Sequence, residues 1–260
     1  MGSGSDQRVV SLQRLRRSCL DCSLRMLCLP AGVARSDVEE LDRVVRARVP
    51  LDRGEALFRA GEPFGHIYVV RTGTIRTTLP EQDGSEQVIG FHLPGELVGL
   101  EAIRDQYHRC DAVALERTSL CMLRFDQLEE LAPRIPGLQR QLYRLISREL
   151  VEDQQHLVAL GRRTARERVA LFVHSLSERL EAAGYDGTEL RLAMSRDEIA
   201  NYLGLALETV SRELARLGED GLLAVDRRRV RVLDRPALAG VAGRPPSPAT
   251  GGSRSQTSGS

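Results

Sequence analysis

Ser195-Arg196-Asp197-Glu198-Ile199-Ala200-Asn201-Tyr202-Leu203-Gly204 reads as a short helix marked at both ends. The Ser195 hydroxyl can accept the amide proton of the third helical residue while Glu198 reaches back to the cap amide, a capping box. Gly204 stops the helix and a second begins near Leu207, with Val210, Leu214 and Leu217 spaced to face inward; small Ala200 permits close packing. Helix, glycine-bearing turn, helix is the helix-turn-helix arrangement, whose second helix enters a major groove. Glu208, Ser211 and Arg212 share the outward face near the start of that second helix. Arginine grips guanine O6 and N7, glutamate accepts from cytosine N4, and serine meets either kind of edge. The plainer reading is a solvated Glu208–Arg212 ion pair one helical turn apart. The context weighs against it. Leu222-Leu223-Ala224-Val225 and Val230-Arg231-Val232-Leu233 flank Asp226-Arg227-Arg228-Arg229, a hairpin with an arginine tip suited to phosphate. The unit is therefore expected to be a winged helix-turn-helix on double-stranded DNA, with Arg228 on the backbone.

Upstream the pattern is different. From Pro50 to about Phe125, short apolar runs alternate with glycine turns: Ile67-Tyr68-Val69-Val70, Thr74-Ile75-Arg76-Thr77-Thr78-Leu79 and Gln87-Val88-Ile89-Gly90-Phe91 are the clearest strands, with Asp83-Gly84 turning between the last two. Many short strands at this spacing imply a small β-barrel or jelly roll. Gly137 to Leu160 then reads as one long helix in which Ile146, Leu150, Asp153, Leu157 and Leu160 are spaced four, three, four and three apart. That is a heptad seam for a partner helix, although the same stripe also suits a helix lying on its own barrel. Asp153 favours the seam: a carboxylate is costly in a core, but at a two-fold axis it meets its own copy and tunes association. The expected class is α+β, divided into a cysteine-rich segment (1–30), a β-barrel or jelly-roll sensor (31–135), a dimerisation helix (136–163), the winged unit (164–240) and a disordered Gly/Ser-rich tail (241–260).

Cys19-Leu20-Asp21-Cys22 is followed by Cys28, three of only five cysteines in 260 residues. Two thiolates two residues apart can turn to one centre, and a third reaches it from the adjoining turn, which suits an iron–sulfur cluster or zinc. No histidine precedes His66 and no second C-x-x-C occurs, so a zinc finger is disfavoured. Cys110 and Cys121 remain for a fourth ligand, and spacing does not choose between them. The N-terminus carries no apolar run for a signal or a membrane span, so a reducing, cytoplasmic setting is expected, where clustered cysteines are ligands or redox sensors. Net charge is +1, with arginine supplying all 37 basic side chains other than histidine. No nucleophile elbow, phosphate-binding loop or metalloprotease helix supports an enzyme, although a metal- or cysteine-dependent redox enzyme is the alternative from another class.

Barrel, seam helix and winged unit together resemble the CRP/FNR family, and within it the oxygen-responsive FNR-like branch, from about Cys19 to Gly243. The resemblance rests on Cys19-Leu20-Asp21-Cys22-Ser23-Leu24-Arg25-Met26-Leu27-Cys28, on Gly90-Phe91-His92-Leu93-Pro94-Gly95-Glu96-Leu97-Val98-Gly99, and on Asn201-Tyr202-Leu203-Gly204-Leu205 followed by Glu208-Thr209-Val210-Ser211-Arg212. It implies a transcription regulator with a [4Fe–4S] cluster that favours the dimer and is lost to oxygen. Three ligands carry over as Cys19, Cys22 and Cys28. Ala114-Leu115-Glu116-Arg117-Thr118-Ser119-Leu120-Cys121 resembles the stretch ending in the distant ligand, which implies Cys121 and leaves Cys110 as an extra thiol. Glu208, Ser211 and Arg212 match residues that read TTGAT-N4-ATCAA-like palindromes, and Asp153 matches a seam acid opposing dimerisation without the cluster. RNA polymerase contact is implied for the 82–86 hairpin and the 116–120 loop. A cyclic-nucleotide-responsive regulator is the closest competitor, because Glu96 and Arg109 lie near the family's ribose and phosphate places. Cys110 and Asp111 speak against it, an acid beside a cyclic phosphate being repulsive.

Overall fold

The computed structural model describes residues 19–243, so the expected disordered tail falls almost wholly outside it, as do all the residues before Cys19. The chain forms two units, one of residues up to Arg76 with Phe91–Glu149, the other of Thr77–Gly90 with the chain from Leu150 onward.

In the first unit a 3-10 turn at Cys19–Asp21 leads to α1 (Arg35–Val44), which runs directly into β1 (Val45–Leu51). Along the chain follow β2 (Ala56–Phe58), β3 (His66–Thr72), β4 (Ile75–Pro80), β5 (Glu86–His92), β6 (Leu97–Val98), β7 (Asp111–Ala114) and β8 (Thr118–Arg124), then α2 (Phe125–Leu131) and α3 (Pro136–Arg162), with most of β4 and β5 and the later turns of α3 belonging to the second unit. The strands make two four-stranded sheets, β1-β8-β3-β6 and β2-β7-β4-β5. They do not close on themselves, so the domain is jelly-roll-like, not a sealed barrel.

Alternation along β3 and β8 sorts side chains into two cores. Ile67, Val69 and Leu123 join Leu29, Leu41, Leu128 and Leu138 in one cluster, whereas Val70 and Leu120 join Phe58, Ile75 and Cys110 in the other. The first cluster thus binds the cysteine segment, α1, α2 and the start of α3 to one sheet face. Gly137 is required there: a Cβ would run into the Gly32 carbonyl, so only glycine lets the first turn of α3 approach so closely.

Heptad spacing makes α3 long, and its second half carries an apolar stripe to the surface: Leu150 is 56% and Leu157 67% exposed. Ile146 and Asp153 are exposed as well, and Leu160 is half-buried. In the second unit, α4 (Ala165–Ala182) opens with a capping box from Thr164 and Glu167. β9 (Glu189–Arg191), α5 (Arg196–Leu203), α6 (Leu207–Glu219), β10 (Leu223–Asp226), β11 (Arg229–Val232) and α7 (Arg235–Val241) complete it, with a small sheet in the order β10-β11-β9. The Ser195 capping box forms, and Gly204 ends α5 at φ +60°. Arg168 of α4 ties this unit together by donating to the carbonyls of Leu160 (2.6 Å), Arg163 (3.0 Å) and Leu203 (3.0 Å). His156 stacks on Tyr202, with ring centroids 4.0 Å apart and planes 9° off parallel. Along β5, the Val88 amide donates to Asn201 Oδ1 (2.6 Å) and Asn201 Nδ2 donates to the Glu86 carbonyl (2.8 Å).

Candidate cysteine site and nucleic-acid interface

Tight turns set the first three cysteines. The Cys22 amide donates to the Cys19 carbonyl, the Arg25 amide to that of Cys22, and the Cys28 amide to that of Leu24. Leu24 and Leu29 are buried and press the segment onto the protein. Cys121 arrives from far away in sequence. In β8 it stands opposite Val69 of β3 and shares a face with Leu123, the face that the cysteine segment covers. Cys19, Cys22, Cys28 and Cys121 consequently line one small cavity with a wholly apolar wall, made by Leu24, Leu41, Val69 and Leu123 with the stems of Arg25 and Arg71. All five cysteines are free thiols.

Among the described residues, no three His, Cys, Asp or Glu side chains stand close enough to hold a metal ion as they are. The four thiols instead surround a space, and a polynuclear cluster takes thiolates at separate corners. The donor set therefore fits a cluster. Cys28 is pushed up to about 12, chiefly by burial, with the Cys121 and Cys22 thiols adding to the shift and Arg148 opposing it. Cys19 is raised further, by burial first and then by Asp42, which hydrogen-bonds its thiol. Asp42 Oδ1 also accepts from the Cys19 amide at 3.0 Å. At the other end of the segment, Gln141 Nε2 of α3 donates to the Cys28 carbonyl at 3.2 Å. Neither Asp42 nor Gln141 carried a signal in the sequence, since each acts through the backbone of a residue remote in the chain. Cys110 is 2% exposed in the other core, near Glu101.

The groups suspected of holding a cyclic nucleotide are engaged with protein. Glu96 accepts from the Leu93 amide at 2.8 Å, Arg109 pairs with Asp105, and Asp111 accepts from the Ala60 amide and Arg59. Glu101 lies 2.9 Å from His108 Nδ1, whose ring stacks on Phe58.

On α6, Glu208, Ser211 and Arg212 are all exposed while Val210, Leu214 and Leu217 are buried. Arg212 leans on Thr209 Oγ1 (3.4 Å) and Glu213 Oε1 (3.7 Å), not on Glu208. Its guanidinium is itself exposed and both contacts are long, so it can turn to a base edge. The wing turn is Arg227-Arg228 between β10 and β11, with Arg227 in the left-handed region at φ 51°. Arg228 differs from a free phosphate hook: its Nη1 donates to the Ala193 carbonyl at 3.0 Å, so the side chain also fastens the wing to the unit.

Residues 48–134 match the cyclic nucleotide-binding domain family and residues 167–241 the Crp-like helix-turn-helix domain family. The chain is 47% identical over 225 residues to the transcriptional activator protein Anr of Pseudomonas aeruginosa, covering 86% of this chain and 92% of that protein. It belongs to the CRP/FNR family of transcription regulators. Another member, the fumarate and nitrate reduction regulatory protein of Yersinia pestis, is 39% identical over 227 residues, 87% of this chain and 91% of its own length. The solved structure of FixK2 from Bradyrhizobium japonicum aligns with 75% of this chain and 96% of its own, at 34% identity and a TM-score of 0.68. These relatives are regulators, not enzymes, and the CRP/FNR chain here is an FNR-like DNA-binding regulator with a helix-turn-helix. Among the described residues no helix is long and apolar enough to cross a membrane.

Proposed function

We propose that this protein is a cytoplasmic oxygen-responsive regulator in which Cys19, Cys22, Cys28 and Cys121 hold a [4Fe–4S] cluster. The observation that carries the reading is the convergence of those four thiols, one of them from a distant strand, on a single apolar-walled cavity. When bound, the cluster supplies a bridge between the N-terminal segment and β8 that oxygen can dismantle. The chain's own residues link that site to association. Gln141 and the buried Leu138 and Leu145 join the cysteine segment to α3, whose exposed Ile146, Leu150 and Leu157, with the half-buried Leu160, form a stripe suited to a second copy. Asp153 lies exposed in that stripe with its carboxyl pushed upward by desolvation, and two charged copies brought face to face in a seam would lose more water and repel. A homodimer sets two α6 helices on successive half-sites, as a palindrome close to TTGAT-N4-ATCAA requires. Glu208, Ser211 and Arg212 are the proposed base readers, and RNA polymerase is the proposed downstream partner.

The test is anaerobic purification followed by an absorbance spectrum, iron and sulfide analysis, and titration of the palindrome before and after exposure to air. A brown protein that binds the palindrome and loses both properties in air supports the reading; a colourless protein with the same DNA affinity in air sinks it. Arg212→Ala is expected to lose about 1 to 3 kcal/mol on the palindrome and little on random duplex. Equal losses on both duplexes would remove Arg212 from the base readers. Calorimetry with cyclic nucleotides checks the competing reading, and no heat of binding is expected because Glu96, Arg109 and Asp111 are already engaged.

A further inference from the structure

The cysteine segment is tied down at both ends, and the two ties differ in charge. At Cys28 the tie is a neutral amide, the buried Gln141. At Cys19 it is a carboxylate: Asp42, on α1, accepts from the amide and is hydrogen-bonded by the thiol. Docking alone does not call for a charge, because an amide side chain has an acceptor oxygen in the same place. The charge has a separate effect. A free thiol has a proton to donate to Asp42, whereas a metal-bound thiolate has none and stands against a carboxylate in a partly buried site. The cavity wall is apolar, so this carboxylate at the edge of the segment acts on Cys19 with little screening.

We propose that Asp42 is a positioning residue that docks the cysteine segment through the Cys19 amide and, by its charge, makes Cys19 the most weakly held of the four cluster ligands. The proposal rests on the cluster reading above. It also accounts for a carboxylate at the Cys19 tie where the Cys28 tie is an amide, and it names the corner at which the group first lets go.

Two measurements on the full chain separate docking from charge. In cluster-free protein, hydrogen exchange of the peptide bearing the Cys19 amide reads the dock: wild type and Asp42→Asn are expected to be equally protected, with exchange in Asp42→Ala faster by roughly tenfold. In anaerobically reconstituted protein, iron release to a chelator without oxygen reads the charge: Asp42→Asn is expected to load iron and sulfide fully and release iron on the order of tenfold more slowly than wild type. Unchanged exchange in Asp42→Ala overturns the dock, and unchanged or faster release in Asp42→Asn overturns the role of the charge. Wild type that takes up no iron and sulfide overturns the cluster reading and the charge effect with it, while the exchange comparison still decides the dock.

Discussion

Cys110 and Cys121 are both cysteines of the jelly roll, and what separates them is the face of the sheet. Cys121 shares its face with Leu123 and meets the cysteine segment, whereas Cys110 packs with Phe58 and Ile75 in the other core. Serine in place of Cys19, Cys22, Cys28 or Cys121 should abolish a stable cluster, since a hydroxyl stays protonated where a thiolate ligates; Cys110→Ser should keep it. Iron and sulfide analysis of each anaerobic variant decides, and full content in Cys121→Ser would reverse the assignment. His156 gives a second residue-scale expectation. Burial, with Arg168 nearby, holds its pKa below the usual 6.5. The unfolded chain therefore takes up the proton first, so stability present above about pH 6.5 is lost as pH falls through the depressed value. Melting curves of wild type should shift down between neutral pH and pH 5, and His156→Phe, which keeps a flat ring on Tyr202, should flatten that slope.

At the scale of elements, α3 serves two masters. Its first turns are bound into the core by Leu138, Gln141 and Leu145, and its later turns present the apolar stripe. Asp153→Ala should give a cluster-free dimer that survives air and still binds the palindrome. Analytical ultracentrifugation of wild type and variant, with and without cluster, checks this, and a cluster-free wild type that is already a tight dimer would refute it. Arg168 closes the end of the same helix against α4 and α5 with three charged hydrogen bonds. Arg168→Ala should cost roughly 2 to 3 kcal/mol of stability in chemical denaturation. Helices with local punctuation were legible in the sequence: Ser195 and Gly204 bound α5 by chemistry contained within ten residues. Longer strands with apolar runs were legible too, but three-residue β9 was not, since it is defined by its ladder to β11. Helix α7 was passed over although Asp234 caps it and Pro236 sits in its first turn, both readable signals. The ties from Asp42 and Gln141 were beyond reach, because a side chain that bonds a remote backbone leaves no periodic trace.

For the whole molecule, binding to DNA must combine base reading with charge in a protein whose net charge is only +1. The basic groups therefore act by placement. Arg228→Ala should weaken specific and random duplexes alike and lower the salt slope by about one unit, with some loss of stability because Ala193 loses its donor. Titrations over a range of salt concentrations measure the slope, and a loss confined to the palindrome would overturn the assignment. The class of fold was legible because strand grammar, heptad and capped helix pair follow one another along the chain, while Cys121 was reached only through the family resemblance, because spacing left Cys110 open and the choice depends on the register of β3 against β8. One further consequence lies at the rim of the second sheet. β5 is one of its two edge strands, and such a strand offers unpaired amides and carbonyls to any other chain. Asn201 answers the Val88 amide and the Glu86 carbonyl with a single side chain that imitates a neighbouring strand for one residue. A second copy pairing along this edge would have to displace it, so Asn201→Ala should raise light scattering on gentle warming before any loss of helical signal.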